Sequence, residues 1–387
     1  GLWRRTTLEE YQKDDPEWEI VLNLDELAEK EDENWVYKGS NCLYPTYDRC
    51  LINLSRGGAD ATVVREFDIE SKSFVKDGFQ LPEAKSNLSW IDKDTLYVGT
   101  DFGEGSMTDS GYPRIVKVWE RGQPIEKAKT VFEGEQKDVW VAGMVAHDGD
   151  DKYQIIYQGL DFYTSEIYLK TNDGLQKLDR PKDSSFSGII NGQLLLELKS
   201  DWTVGDKTYK QASLLSIAMD EYISGKKNFT EVLVPDASTS IASVSSTKDH
   251  VLITTLKDVS SELYRYTFKD GKWSHEKIDM PELGTLSVTG TSDEHNNFFI
   301  DYQNFLTPSS LYYFDAEKDS ASVLKSLPAF FDASPYKVEQ KFAEAKDGTK
   351  VPYFLVMAKD TKLNGKNPTL LYGYGGFEVS LRPSYSA

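Results

Sequence analysis

Residues 241–280 read IASVSSTKDHVLITTLKDVSSELYRYTFKDGKWSHEKIDM, and this stretch contains the pattern that decides the fold. A small-residue apolar strand comes first, followed by a polar turn that contains Asp249. A strongly apolar strand, a polar loop, an aromatic strand, another turn and a weaker edge strand complete the unit. Runs of β-branched and aromatic residues bounded by Asp, Gly and Ser indicate β-strands. The stretch therefore predicts one sheet of four strands.

The same order of strands and turns recurs along the chain, for example in residues 86–134, 139–179 and 286–327. One residue near the second strand of each unit marks its position: Cys50, Leu96, Tyr153, Leu194, Val251 and Phe298. These markers are roughly 40 to 58 residues apart, near the period of four-stranded propeller blades. Six units and a leading strand, EIVLNLD, predict a mainly β fold of the β-propeller class. A pair of β-sandwiches is the alternative, although it would not need the same pattern six times.

The pattern changes near residue 335. Residues 337–360 predict two strands around a DGT turn, and the second strand, YFLVMA, is continuously apolar, as expected for a strand covered on both faces. A polar loop and a third apolar strand, TLLYGYG at 369–375, follow. We therefore predict a β-propeller domain over residues 1–335 and the opening strands of a second domain over 336–387.

Composition excludes several classes of partner. The net charge of −19 argues against binding to nucleic acid or to an anionic membrane, and no apolar run is long enough to span a membrane. The two cysteines, Cys42 and Cys50, form neither a disulfide framework nor a zinc pattern, so we expect a reducing, cytoplasmic compartment and a buried thiol at Cys50. The first residues, GLWRRTT, lack Met and suggest the interior of a longer protein, so a removed export signal stays open.

Catalytic motifs are scarce in this sequence. It contains no H-E-x-x-H, no calcium-loop spacing, no complete phosphate-binding glycine loop and no G-x-S-x-G, so we expect no metal and no cofactor. The third apolar strand runs into Gly373–Phe377, where glycines permit a close approach of the backbone to a substrate. Tyr374 can donate its hydroxyl to a developing oxyanion there. A tyrosine packed in a glycine-rich hairpin is the alternative.

Residues 367–386, NPTLLYGYGGFEVSLRPSYS, resemble the oxyanion-loop segment of the prolyl oligopeptidase family of serine peptidases. The preceding KDGTKVPYFLVMAKDTKLNGKNP resembles the first hydrolase strands of that family, and YQNFLTPSSLYYFD resembles its last propeller blade. The resemblance is specific over roughly residues 298–387 and only architectural before them.

The resemblance implies a seven-bladed propeller that gates an α/β-hydrolase domain, which cleaves short peptides, often after proline. Tyr374 would be the oxyanion tyrosine, and Phe377 would line the pocket for the proline ring. The catalytic Ser, Asp and His would follow this loop, so none is expected in this chain, which we expect to be a fragment with its first blade cut. A propeller that acts only as a binding module is the competing hypothesis.

Overall fold

The computed structural model describes residues 1–376 and 379–386 of the chain. The chain divides into two compact units, Gly1–Ser184 and Ser185–Ala387. Both units are built from antiparallel sheets, and the few helices are short. None of the helices in the described part of the chain has the length and apolarity needed to span a membrane.

The first unit contains a two-stranded sheet and three larger sheets. The two-stranded sheet and the helices around it are β1 (Leu2–Arg5), α1 (Leu8–Tyr11), β2 (Glu19–Asn23) and α2 (Leu24–Glu31). The first large sheet comprises β3 (Trp35–Cys42), β4 (Arg49–Arg56), β5 (Thr62–Asp68), β6 (Ser73–Phe74) and β7 (Gln80–Ala84). The second comprises β8 (Asn87–Asp92), β9 (Thr95–Gly99), β10 (Ile115–Glu120) and β11 (Lys129–Glu133). The third comprises β12 (Trp140–Asp148), β13 (Asp151–Gly159), β14 (Ser165–Thr171) and β15 (Gly174–Lys177).

The second unit contains three four-stranded sheets and a terminal hairpin. The fourth large sheet and its insertion comprise β16 (Ser185–Ile190), β17 (Gln193–Glu197), the separate pair β18 (Trp202–Val204) and β19 (Lys207–Tyr209), then β20 (Leu214–Ala218), α3 (Met219–Ile223) and β21 (Thr230–Leu233). The fifth comprises β22 (Thr239–Ser246), β23 (His250–Lys257), β24 (Ser260–Lys269) and β25 (Lys272–Lys277). The sixth comprises β26 (Thr285–Gly290), β27 (Phe298–Gln303), β28 (Ser310–Asp315) and β29 (Ser320–Ser326). The hairpin is β30 (Tyr336–Glu344) and β31 (Lys350–Ala358).

The six large sheets confirm the six units predicted from the sequence. Strands β22 to β25 fall on the four runs of residues 241–280, and each run pairs with the next along the chain. The leading strand is β2. In five sheets the first strand carries a β-bulge against the second, which bends and twists the strand locally.

The core of the first unit lies between successive sheets. Along β9, Leu96 and Val98 pack with Leu51 of the first large sheet, whereas Tyr97 points the other way and packs with Val141 of the third. Because side chains alternate between the two faces of a strand, one central strand contributes to two cores. This arrangement explains why β9 is buried at nearly every position.

The same rule holds in the second unit. Val251 and Ile253 pack with Leu195 of the fourth sheet, and Leu252 packs with Phe298 of the sixth. The strongly apolar strands β9 and β23 are therefore covered on both faces, whereas in β27 of the sixth sheet only alternate positions are fully buried.

The expected free thiol at Cys50 is wrong. Cys42 and Cys50 are direct partners in the antiparallel pair of β3 and β4, their Cα atoms are 3.9 Å apart, and they form a disulfide. Cys50 is fully buried, as expected. A spacing of eight residues did not reveal that the turn between the strands places both cysteines at one register position.

The third strand predicted after residue 335 is also wrong. Residues 369–375 form no strand, and Leu370, Leu371 and Tyr372 are 92%, 94% and 80% exposed. A fully apolar strand is held by burial of its faces, and the described residues do not cover this segment. The two strands around the DGT turn are confirmed as β30 and β31, but the expected cover on both faces of YFLVMA is wrong, since Tyr353 and Val356 are 42% and 44% exposed.

Candidate functional site

A cleft in the first unit is lined by the first strands of three successive sheets. Asn41 comes from β3, Asn87 and Ser89 from β8, and Trp140 and Met144 from β12. This first cavity of the cleft has a volume of about 370 Å³. Residues that are roughly 50 positions apart in sequence thus meet at one surface, because each sheet presents its first strand on the same side.

Trp140 forms an aromatic wall of this cleft. Its ring stacks on Tyr157 with the ring centroids 4.8 Å apart and the planes 5° from parallel. Gly159 is the register partner of Trp140, and a Cβ at this glycine would lie 2.9 Å from the indole nitrogen. The indole therefore holds its position because its partner has no side chain.

Gly143 lines the cleft at a position that has no space for a side chain. A Cβ at this position would lie 2.5 Å from Cγ of Tyr97, which is fully buried beneath it. The Tyr97 hydroxyl donates to Oε1 of Gln154 at 2.8 Å, and burial raises the pKa of Tyr97 to about 12, so this tyrosine is a neutral donor at physiological pH. Larger residues at Gly143 would displace β12 from the second sheet.

Hydrogen bonds fix β3 against β8 at the polar side of the cleft. The amide nitrogen of Asn41 donates to the carbonyl of Leu88 at 3.0 Å, and the indole nitrogen of Trp90 donates to the carbonyl of Asn41 at 2.9 Å. Ser86 and Thr100 share a hydroxyl hydrogen bond of 2.7 Å. The polar wall is therefore preorganised rather than assembled on binding.

A second cavity, of about 330 Å³, adjoins the first and shares Asn53, Ser86 and Asn87 with it. Lys38 and Lys85 are the cationic side chains of its lining. The first cavity has no titratable residue in its lining. We call the first cavity the neutral half of the cleft and the second the cationic half.

The neutral half is equipped for binding rather than for proton transfer. Amide and hydroxyl groups face a flat indole, and this combination suits an extended polar backbone with a ring-shaped or apolar side chain. The sequence-based interpretation missed these residues. The only local signal was the run of small residues VAGMVA after Trp140, which is also typical of an ordinary inner strand.

Tyr374, the predicted oxyanion donor, lies in the second unit. It belongs to the strandless segment 369–375 and is 54% exposed. Its ring folds back over Gly376, where a Cβ would lie 3.0 Å from the tyrosine hydroxyl. Phe377, the predicted pocket wall, lies outside the described residues. The two predicted site residues therefore keep the roles assigned from sequence as predictions.

Residues 383–385 pack on the sixth sheet. The Thr285 hydroxyl donates to the carbonyl of Pro383 at 2.7 Å, and the backbone nitrogen of Tyr385 donates to the Gln303 side chain at 3.0 Å. The Tyr385 ring stacks on Phe331 with centroids 5.4 Å apart. Both ends of the predicted oxyanion loop are thus tied within the second unit, by this contact and by β31.

Comparison with known proteins identifies the family. Residues 1–327 match the family model described as prolyl oligopeptidase, N-terminal beta-propeller domain. The chain belongs to the prolyl oligopeptidase family. Residues 1–327 are accordingly the β-propeller domain of a prolyl oligopeptidase family member, and the six large sheets are blades of that propeller.

Relatives of this prolyl oligopeptidase family member extend over nearly all of the chain. An uncharacterized peptidase of Sinorhizobium fredii is 41% identical over 396 residues, which cover 100% of this chain and 54% of the relative. A prolyl endopeptidase of Dictyostelium discoideum is 34% identical over 388 residues, which cover 95% and 47%. The structure of a post-proline cleaving enzyme from Rickettsia typhi matches with a TM-score of 0.88 and 31% identity over 100% of this chain and 58% of the other. The chain spans about half the length of these relatives.

Proposed function

We propose that this chain is the substrate-gating propeller portion of a serine peptidase that hydrolyses short peptides, after proline. The observation that carries the proposal is the match of residues 1–327 to the propeller domain of the prolyl oligopeptidase family. Relatives named prolyl endopeptidases support the preference for proline. We further propose that residues 1–335 act as the propeller and that 336–387 belong to the peptidase domain.

In this proposal the neutral half of the cleft contacts the peptide. Trp140 offers a flat apolar surface to a pyrrolidine ring or another apolar side chain, and Asn87 and Ser89 offer hydrogen bonds to the peptide backbone. Shape and hydrogen bonding select the substrate here, and the cleft performs no chemistry. The propeller thereby restricts entry to short, flexible chains.

Binding of a proline-containing peptide to the 387-residue chain tests the cleft. We expect Trp140→Ala to weaken binding by about ten-fold, the size of a single aromatic contact at a protein interface. Trp140→Phe keeps a ring and should retain most of the affinity. Trp18→Ala is the control, because Trp18 packs on Arg4 and Tyr11 away from the cleft. Equal affinity of Trp140→Ala and the wild type would exclude the cleft as the peptide site.

The chemical step in this proposal uses Tyr374. A serine hydroxyl activated by a histidine would attack the scissile carbonyl, and the Tyr374 hydroxyl would donate a hydrogen bond to the oxyanion of the tetrahedral species. The triad Ser, Asp and His are assigned to no residue of this chain. Phe377 would form one wall of the pocket for the proline ring.

Kinetics of the complete protein test the oxyanion role. Tyr374→Phe keeps the ring and deletes only the donor, so turnover should fall by about 100- to 1000-fold. The Michaelis constant should change little, because the charge exists only in the transition state. Phe377→Ala should instead weaken the selection for proline. Unaltered turnover in Tyr374→Phe would refute the oxyanion role and leave a packed tyrosine.

The second candidate function is a propeller that binds a partner without catalysis. It is favoured by the neutral half of the cleft, whose lining offers amide, hydroxyl and aromatic groups for binding and no titratable residue. The reading frame that encodes this chain separates the two functions. A G-x-S-x-G followed by Asp and His after codon 387 supports the peptidase, and a stop codon at that point supports the binding module.

We also propose the cytoplasm as the compartment, since two cysteines in 387 residues are typical of a protein kept reduced. The Cys42–Cys50 disulfide points the other way, because such bonds persist in oxidising compartments. Trapping free thiols with a mass-tagged maleimide at the moment of cell lysis decides the question. Two tags per chain support a reducing compartment, and none excludes it.

A further inference from the structure

The cationic half of the cleft differs in charge from the rest of the molecule. The chain has 63 acidic and 44 basic residues, yet this half is lined by two lysines, Lys38 and Lys85, and by one carboxylate, Asp60. A local excess of positive charge in a concave surface focuses the electrostatic potential toward an anion. In a protein of net negative charge, the cationic half of the cleft is therefore a selective site for an anionic group.

Lys38 is placed in this half by a β-bulge. In the pairing of β3 with β4, Tyr37 is opposite Leu54 and Gly39 is opposite Asn53, so Lys38 is the extra residue. Gly39 has φ +120°, which a residue with a Cβ rarely adopts, and this glycine permits the bulge. Bulges redirect side chains next to binding sites. Within residues 1–376 and 379–386, no hydrogen bond or ion pair engages the Lys38 side chain.

Lys85 is held from the other side of the cavity. Its ammonium nitrogen lies 4.3 Å from the centroid of the Tyr112 ring and 3.8 Å from Oδ2 of Asp60. The Asp60 side chain is 81% exposed, whereas that of Lys85 is 29% exposed. A contact of 3.8 Å is longer than a hydrogen bond, so Asp60 leaves the three ammonium donors of Lys85 available. The aromatic ring positions the charge without neutralising it.

Two amides complete the lining where the two halves meet. Oδ1 of Asn53 lies 3.5 Å from the Thr62 hydroxyl, which leaves the Asn53 NH₂ group as a donor. Asn87 is shared by both cavities. Two ammonium groups and two amides supply hydrogen-bond donors, which suit the acceptor oxygens of a carboxylate. A cation or an apolar group could not accept these hydrogen bonds.

We propose that Lys38 and Lys85 bind a carboxylate of a peptide whose backbone lies in the neutral half of the cleft. The carboxylate belongs either to the C-terminus of the peptide or to a Glu or Asp side chain. This inference rests on the proposed peptide-binding function and specifies its substrate class. Short peptides with a free carboxylate at the correct distance are then preferred, and peptides that lack one bind through the neutral half alone.

Fluorescence anisotropy with the 387-residue chain tests the inference. The probes are fluorescein-labelled Gly-Phe-Pro-Ala with a free C-terminus, the same peptide with a C-terminal amide, and two amidated peptides that end in Glu or Gln. We expect the free carboxylate to bind about five-fold tighter than the amide at low salt. A tighter complex with the Glu peptide than with the Gln peptide would identify the side chain as the source of the carboxylate.

Lysine variants connect this preference to the cationic half. Lys38→Met and Lys85→Met keep the aliphatic stems and remove the charges. Each should lower the five-fold preference, and the double variant should abolish it while the affinity for the amide peptide stays the same. Lys76→Met is the control, because Lys76 is exposed in a turn of the same unit. Added salt at about 0.5 M should reduce the preference, since the Debye length falls below 5 Å.

The outcomes separate the inference from the proposed function. If the wild type binds neither Gly-Phe-Pro-Ala probe, the peptide-binding function fails and the inference fails with it. If the wild type binds both probes equally, or if the double lysine variant keeps the preference, the inference alone is overturned. A preference that disappears in the double variant and persists in Lys76→Met supports it.

Discussion

Arg121 should stabilise the first unit far more than Arg56, although the two arginines make similar contacts. Arg121 forms a bidentate pair with Glu66 at 2.8 and 3.1 Å, and its guanidinium carbon lies 4.6 Å from the centroid of the Phe79 ring. Arg56 contacts two carboxylates at 2.6 and 2.9 Å and lies 5.0 Å from the Trp35 ring. The difference is burial, because the Glu66 side chain is 0% exposed.

The expected cost follows from the carboxylate that would be left behind. In Arg121→Met, Glu66 keeps the backbone N–H of Phe79 at 2.8 Å and a distant Arg49 at 3.9 Å. Removing one partner of a buried ion pair costs about 3 to 5 kcal/mol. Because the Arg121 side chain is 29% exposed, water can reach the vacated space, and we expect the lower end of about 3 kcal/mol.

Urea unfolding, followed by tryptophan fluorescence, measures this loss at constant m-value. Glu66→Gln removes the buried charge, so the double variant Glu66→Gln/Arg121→Met should be more stable than the sum of the single losses by about 1.5 kcal/mol. Arg56→Met should lose much less than Arg121→Met, since its carboxylate partners remain in water. A coupling energy below about 0.5 kcal/mol would refute the reasoning from burial.

Three further outcomes are expected. The 387-residue chain should not hydrolyse a chromogenic proline peptide, because it has no nucleophile elbow; turnover that a serine-directed inhibitor blocks would contradict this. Ending the chain at Pro335 should raise solubility by removing exposed apolar side chains, and a lower urea midpoint would instead show that residues 336–387 stabilise the sixth sheet. Hydrogen bonds from Lys177 and Lys182 lower the pKa of Glu166 from 4.5 to about 2, so this carboxylate stabilises the fold above pH 4.5 and loses that effect as the pH falls toward 2. The stability gap between wild type and Glu166→Gln should therefore close over this range; a constant gap would show that Glu166 acts through packing.

Much of the fold was predictable because strands that are consecutive in the sequence pair with each other. In residues 241–280 each strand pairs with the next one along the chain, so a run of alternating strands and turns already contains the topology. The double burial of the central strand was also visible, since Val251, Leu252 and Ile253 are consecutive and apolar. The mainly β class was correctly predicted, and the helices of the described residues are few and short.

The cleft was not predictable because it depends on nonlocal positions. Asn41 lies one residue before the end of β3, and Asn87 and Trp140 begin β8 and β12; nothing in their local sequences marks them as neighbours. Lys38 faces the cationic half only because a bulge at Gly39 changes the direction of β3, and a bulge shifts the alternation of side chains by one residue. The Cys42–Cys50 bond is local but also escaped prediction, because it depends on the register of β3 against β4.

The two apolar runs after residue 335 show how locality decides the outcome. YFLVMA and TLLYGYG are similarly apolar, yet only the first is part of a strand. Its strand, β31, is separated from β30 by only the five residues 345–349 of the DGT turn, so the pairing needs a short hairpin, which costs little loop-closure entropy. The second run follows a polar loop and has no adjacent partner in the described chain. Apolarity thus predicts that a segment needs to be buried, whereas a nearby turn determines whether the segment pairs as a strand. Tyr374 lies in TLLYGYG, which is apolar but has no nearby turn that joins it to a partner strand.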